Sequence, residues 1–219
     1  MKKSDSQIQQ DVIAELQYDP VIDASEIGVA VKDGIVTLNG RVDTFFKKSH
    51  VEAAVKRVAG VRGFAEEIEV NILSSSQRTD ADIAKAAANA LEWHVSIPHE
   101  KIKVKVENGW LTLEGELDWF YQKEAAEKAV QGLLGVKGVY NFIHLKQREV
   151  SPREIKQKIK EALHRHAEMD ANKIEVLTDG GKVTLTGTVD SDSEREDARA
   201  AAWRASGVFQ VQNNIQVAA

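Results

Sequence analysis

The sequence predicts an α+β fold built from three tandem α-β-β-α-β repeats, each placing two helices on one face of a three-stranded sheet. Three observations carry this. The stretches DGIVTLNGRVD (33–43), NGWLTLEGELD (108–118) and GGKVTLTGTVD (180–190) are versions of one segment. Glycines recur at fixed spacing around it: Gly34, Gly109 and Gly181 lead to Gly40, Gly115 and Gly187, and these to Gly60, Gly135 and Gly207, each followed by valine. In every copy the apolar period also switches from helical to alternating at the same place. The match runs without a gap over residues 4–72, 79–147 and 151–219, which are the expected domains. The connector 73–78 is polar, whereas 148–150 is so short that the second and third repeats are expected to touch.

Each repeat opens with a helix-start pattern: Ser4 with Gln7, Thr79 with Asp82, and Ser151 with Glu154, where a hydroxyl caps an orphan amide and the third residue reaches back. Pro152 suits a first helical position. An apolar stripe follows through Ile8, Val12 and Leu16; Ile83, Ala87 and Leu91; and Ile155, Ile159 and Leu163. Alternation then begins at Ile27, Ile102 and Ile174, and Asp33-Gly34, Asn108-Gly109 and Gly180-Gly181 supply a tight hairpin. The second strand alternates Val36 and Leu38 (Leu111 and Leu113; Val183 and Leu185) with mostly polar neighbours, so one sheet face is buried and the other wet. A second helix runs through Val51 and Val55, Ala126 and Val130, or Ala198 and Ala202, and is expected to stop at the Gly-Val pair. A last strand closes the unit at Ile68, Ile143 or Ile215.

This element order, the (D/N)G-x-V-x-L-x-G-x-V hairpin and the A-x-x-V-x-G-V helix end resemble the BON domain, named for bacterial OsmY and nodulation proteins. The resemblance covers all three repeats. It implies a mixed sheet, with the last strand parallel to one neighbour, and a non-enzymatic binding module linked to osmotic or envelope stress. It also implies two alternatives: peripheral binding to anionic phospholipid, and binding or sensing of potassium.

Composition narrows the chemistry. The chain has 219 residues, 42% hydrophobic and 29% charged, with a net charge of −5 and a pI near 5.7. Nucleic acid is therefore not favoured as a partner. The segments GVRG (60–63) and GVKG (135–138) match a GXXG pattern but link a helix to a strand, and the third copy reads GVFQ. With no cysteine there are no disulfides, thiolate ligands or cysteine nucleophiles. Of the six histidines only His94 and His166 share a repeat position, so no metal site is expected, and no cofactor is called for. Asp43, Asp118 and Asp190 recur after the second strand and are expected to cap the following helix. No nucleophile elbow, phosphate loop or dinucleotide fingerprint occurs, so an enzyme is not expected. Neither an apolar stretch after Lys3 nor a spanning run occurs, so a cytoplasmic protein is expected, or a periplasmic one if a signal was removed.

One feature exceeds what the fold needs. Trp119, Phe120 and Tyr121 follow the second strand of repeat 2, where repeat 1 has Thr44, Phe45 and Phe46 and repeat 3 has Ser191, Asp192 and Ser193. Lys47, Lys48 and Lys123 stand close by. Trp110 and Trp203 also occupy positions that are polar in at least one sister copy. These ten residues are the candidate binding surface: contacts between repeats or chains, self-association or a protein partner, or aromatic anchors with lysines against anionic headgroups. The expected function is binding or assembly in bacterial stress adaptation.

Overall fold

The computed structural model describes residues 3–147, 150–165 and 171–218. Repeat 1 comprises α1 (Asp5–Tyr18), β1 (Ile27–Lys32), β2 (Ile35–Val42), α2 (Phe45–Arg57) and β3 (Gly63–Val70). Repeat 2 comprises α3 (Asp80–Glu92), β4 (Ile102–Glu107), β5 (Trp110–Leu117), α4 (Phe120–Gln131) and β6 (Gly138–Leu145). Repeat 3 comprises α5 (Pro152–His164), β7 (Ile174–Asp179), β8 (Lys182–Val189), α6 (Asp192–Trp203) and β9 (Gln210–Val217). Each sheet keeps chain order, with an antiparallel hairpin followed by a parallel third strand. The fold is therefore α+β, with mixed sheets.

Three separate cores follow from the periodicities. In repeat 1 the α1 stripe Ile8, Val12 and Leu16 meets Val51, Ala54 and Val55 of α2 over Val36, Leu38 and Ile68. Equivalent residues form the other two cores. Ser4 with Gln7 and Thr79 with Asp82 make reciprocal caps. Ser151 does not cap α5 with its side chain, in contrast to the sequence expectation; Pro152 begins that helix without an amide hydrogen to satisfy. The second helices end three or four residues before Gly60, Gly135 and Gly207 rather than at the Gly-Val pair, because the intervening residues close a turn through Val61–Val58, Val136–Leu133 and Val208–Ala205 amide–carbonyl bonds.

The hairpin turns are held from outside. Asp33 and Asn108 take φ 53°, and Gly34 and Gly109 take 76° and 82°, which leaves two consecutive amides pointing away from the strands. The Asp5 carboxylate accepts both in repeat 1, from Asp33 at 2.8 Å and Gly34 at 2.9 Å. Asp80 accepts the same pair in repeat 2, at 2.7 and 2.9 Å. The first helical residue thus fastens α1 or α3 to the hairpin. In repeat 3 this residue is Pro152, and the link is instead Thr178 donating to the Pro152 carbonyl at 3.0 Å. Gly40, Gly115 and Gly187 are required by close approach, since a Cβ would collide with the carbonyls of Glu26, Lys101 and Lys173.

Replacing Asp5 or Asp80 with alanine removes two charge-assisted bonds. Each variant should lose about 1–2 kcal/mol, seen as a lower urea midpoint. An unchanged midpoint would mean that the clamp is dispensable.

Candidate functional site: the aromatic turns and the junctions between repeats

The residues that open the second helices sit where the repeats meet. Thr44 and Ser191 cap α2 and α6 by accepting from the amides of Lys47 and Glu194. Trp119 stands at the same position in α4 without an oxygen to offer, and there the Gln122 side chain accepts from the Trp119 amide at 3.1 Å. The recurrent aspartates, expected as caps, lie one residue earlier. Asp43 pairs with Lys47 at 2.8 Å, Asp118 with Lys101 at 3.3 Å and Asp190 with Lys173 at 3.6 Å. The following residue has the extended backbone of a cap, so the aspartates serve as ion-pair partners at the strand ends.

The first helical position then points outward from its own repeat. Phe45 packs against the core of repeat 2. Phe120, its equivalent, stacks on Trp203 of repeat 3, with ring centroids 4.2 Å apart and planes inclined by 6°. The Arg199 guanidinium lies 6.0 Å from the centroid of the same Phe120 ring. Asp192 is the third equivalent, and it is buried, paired with Arg195 and within electrostatic reach of Lys56 in repeat 1. Burial raises the Asp192 carboxyl above its ordinary value, opposed by Arg195 and Lys56 and reinforced by Glu196. Lys56, moreover, aligns with Trp203. The junctions therefore run head to tail, repeat 1 onto 2, 2 onto 3 and 3 onto 1. The first two use phenylalanine and the third a buried acid. A cleft of about 470 Å³ lies at the third junction, between Gly60–Arg62 of repeat 1 and Asp190, Val217 and Ala218 of repeat 3.

The other candidates divide. Phe46 remains exposed and tilts against His50, which contacts Asp19 at 3.1 Å; the Asp19 carboxyl is held below its ordinary value chiefly by that bond. Tyr121 is 55% exposed. Lys47 is taken by Asp43, while Lys48 and Lys123 donate to the Ile68 and Ile143 carbonyls at 2.9 and 2.8 Å. Burial lowers the pKa of the Lys123 ammonium, with Glu127 opposing. Trp110 stands apart from the junctions, on the open face of the second sheet. His166 lies outside the described residues. Among those described, no group of three or more histidine or acidic side chains is placed to hold a metal, and no helix is long and apolar enough to cross a membrane.

Sequence reasoning missed an acidic pair beside the first turn. Asn141 and Asn213 each donate to the backbone of the second helix, at Lys123 and Arg195, and accept from the amide two residues on. Repeat 1 has Glu66 at that position, near Glu52, with Lys48 at 3.5 Å. Burial, then repulsion from Glu52, raises the Glu66 carboxyl from 4.5 to about 7, against the pull of Lys48. The signal was available, since one copy alone carries an acid where the others carry asparagine.

Because Glu66 binds its proton more tightly folded than unfolded, ionising it costs stability. The cost is absent below about pH 4.5 and complete above about pH 7. Glu66→Gln should therefore gain in urea midpoint over the native chain as pH rises between those values, with no difference below them. Parallel pH profiles would show that Glu66 is not strained.

The BON domain pattern matches residues 4–71, 79–147 and 152–219. Osmotically-inducible protein Y of Escherichia coli (strain K12) is 29% identical over 146 residues, covering 63% of this chain and 72% of that protein. Two solved chains of CdsD, a structural protein of the type III secretion system of Chlamydia trachomatis, align over 95% and 99% of this chain and 91% and 100% of theirs. Their identities are 15% and 14% and their TM-scores 0.27 and 0.26. With three matched repeats that together span nearly all of its length, the chain belongs to the BON domain family.

Proposed function

We propose that the protein is a non-enzymatic binding and assembly module serving bacterial adaptation to osmotic or general stress. The observation that carries this reading is the division of the aromatic side chains. Phe45, Phe120 and Trp203 lie at contacts between repeats, while Phe46, Tyr121 and Trp110 stay open to a partner. Repeats braced against one another keep such open positions at fixed separations, which lowers the ordering cost of recognition. Likeness to the osmotically inducible protein supplies the stress context. The lysines beside the turns favour a protein partner over an anionic headgroup, because Lys47, Lys48 and Lys123 are each held by an acceptor within their own repeat.

A strain lacking the gene should grow normally in dilute medium and slowly at raised osmolality. The native gene should restore growth, and a Phe46→Ser, Tyr121→Ser variant should not. Equal growth of the deletion and parent strains at raised osmolality would overturn the stress reading. Full rescue by the variant would remove the open aromatics from it.

A further inference from the structure

The open sheet face of repeat 2 differs from the other two. Trp110, Tyr140 and Phe142 form a column along β6, with successive ring centroids 5.1 and 6.0 Å apart and planes inclined by 17° and 10°. They are 41%, 49% and 57% exposed. The same positions hold Ile35, Ala65 and Glu67 in repeat 1 and Lys182, Gln212 and Asn214 in repeat 3, so the fold does not demand the column. The Trp110 ring lies directly over Gly138, where a Cβ would collide with it. The core of repeat 2 is made by residues of the opposite parity, Val139, Ile143 and Leu145. A contiguous aromatic strip on a wet face is the mark of an interaction surface.

What covers it follows from the rows that cross the sheet. Strand register places Lys103, Glu114 and Phe142 in one row, Lys105, Thr112 and Tyr140 in the next, and Glu107, Trp110 and Gly138 in the third. A second copy laid face to face, with strands reversed about the middle row, matches this pattern to itself. Phe142 then meets the Trp110 ring of the second copy where it lies over bare backbone, and Tyr140 meets Tyr140. Lys103 faces Glu107 twice. Glu107 already holds Lys105 at 2.9 Å, which keeps the two central lysines engaged where the copies meet. Pairing along the edge of β6 is opposed, because the Ile143 amide donates to Asn141 Oδ1 and the Ile143 carbonyl accepts from Lys123 Nζ. The face is free where the edge is not.

We infer that two copies of this chain associate through the open sheet face of repeat 2, with the Trp110–Tyr140–Phe142 columns interleaved and Lys103 paired with Glu107 of the second copy. This rests on the binding-and-assembly reading and names one partner for it. Sheets packed in this way lie about 10 Å apart with strands nearly aligned.

Sedimentation velocity of the full chain over the micromolar range tests this. The native protein should show a concentration-dependent monomer–dimer equilibrium. Phe142→Ser and Lys103→Glu should each weaken it by ~tenfold or more. Lys103→Glu combined with Glu107→Lys in one chain should restore it to within ~threefold, because the swapped charges again face each other. All these side chains are exposed, so the variants keep their fold, which their melting profiles will verify. A native chain that stays monomeric throughout, or a dimer indifferent to these changes, overturns the inference. So does a monomer that floats with anionic vesicles and loses that binding in Phe142→Ser, which would assign the face to lipid. A monomeric chain that still restores growth at raised osmolality would leave the proposed function standing and remove only the dimer.

Discussion

The contact on which the rest depends is made by the residue that opens each second helix. A unit of about 70 residues buries only about 60% of the surface its unfolded chain exposes, and each core here is correspondingly small. In this protein the missing burial is found between units. Phe45 enters the side of repeat 2, Phe120 lies flat on Trp203, and Asp192 is buried against repeat 1 beside Arg195 and Lys56. The position that opens the helix, which would be polar in an isolated domain, is phenylalanine because the next domain covers it. This accounts for two of the three copies, while the third keeps a polar residue at the place where repeat 3 leans back on repeat 1.

That asymmetry has an energetic sense. Stacked aromatics add about 0.5–1.5 kcal/mol beyond their buried area and need no partner of defined charge. A buried carboxylate holds only while its cationic neighbours remain in place, and removing one of them is costly. The junction between repeats 3 and 1 is thus the one sensitive to charge, and it borders the cleft lined by Gly60–Arg62 and Ala218. The other charge-sensitive point, Glu66 beside Glu52 and Lys48, lies in repeat 1 as well. Both acids stand where a sister repeat has an uncharged residue, Phe120 for Asp192 and Asn141 for Glu66.

Most of the fold was legible in the sequence because the repeats align without a gap, so each element is read three times. The stripes through Ile8, Ile83 and Ile155 and the hairpin glycines fall where the structure has them. The sheet's mixed order came from family likeness rather than from the pattern, since period-two alternation does not reveal a neighbour's direction. Caps were less legible. Asp43-Thr44 and Asp190-Ser191 each offer two consecutive residues suited to capping, and only the backbone angles decide between them. Ser151 was misread because Pro152 changes what the first turn needs. The clamps made by Asp5 and Asp80 join residues 28 and 29 positions apart, beyond the reach of local pattern. Tyr140 and Phe142 were within reach: they alternate with the core position Ile143, which puts them on the wet face. Which of the aromatic residues face a neighbouring repeat depends on how the repeats are placed, and no pattern within one copy contains that.

Phe120 and Tyr121 give the sharpest test of the junctions, because they are adjacent aromatics in one helical turn with opposite surroundings. Urea unfolding of Phe120→Ala and Tyr121→Ser should be compared under the same conditions. A junction held by the Phe120–Trp203 stack requires a loss of about 1–3 kcal/mol for Phe120→Ala. Tyr121→Ser should stay within about 0.5 kcal/mol of the native chain, as exposed positions do. Equal losses, or a neutral Phe120→Ala, would contradict a chain whose repeats are braced by the aromatic turns.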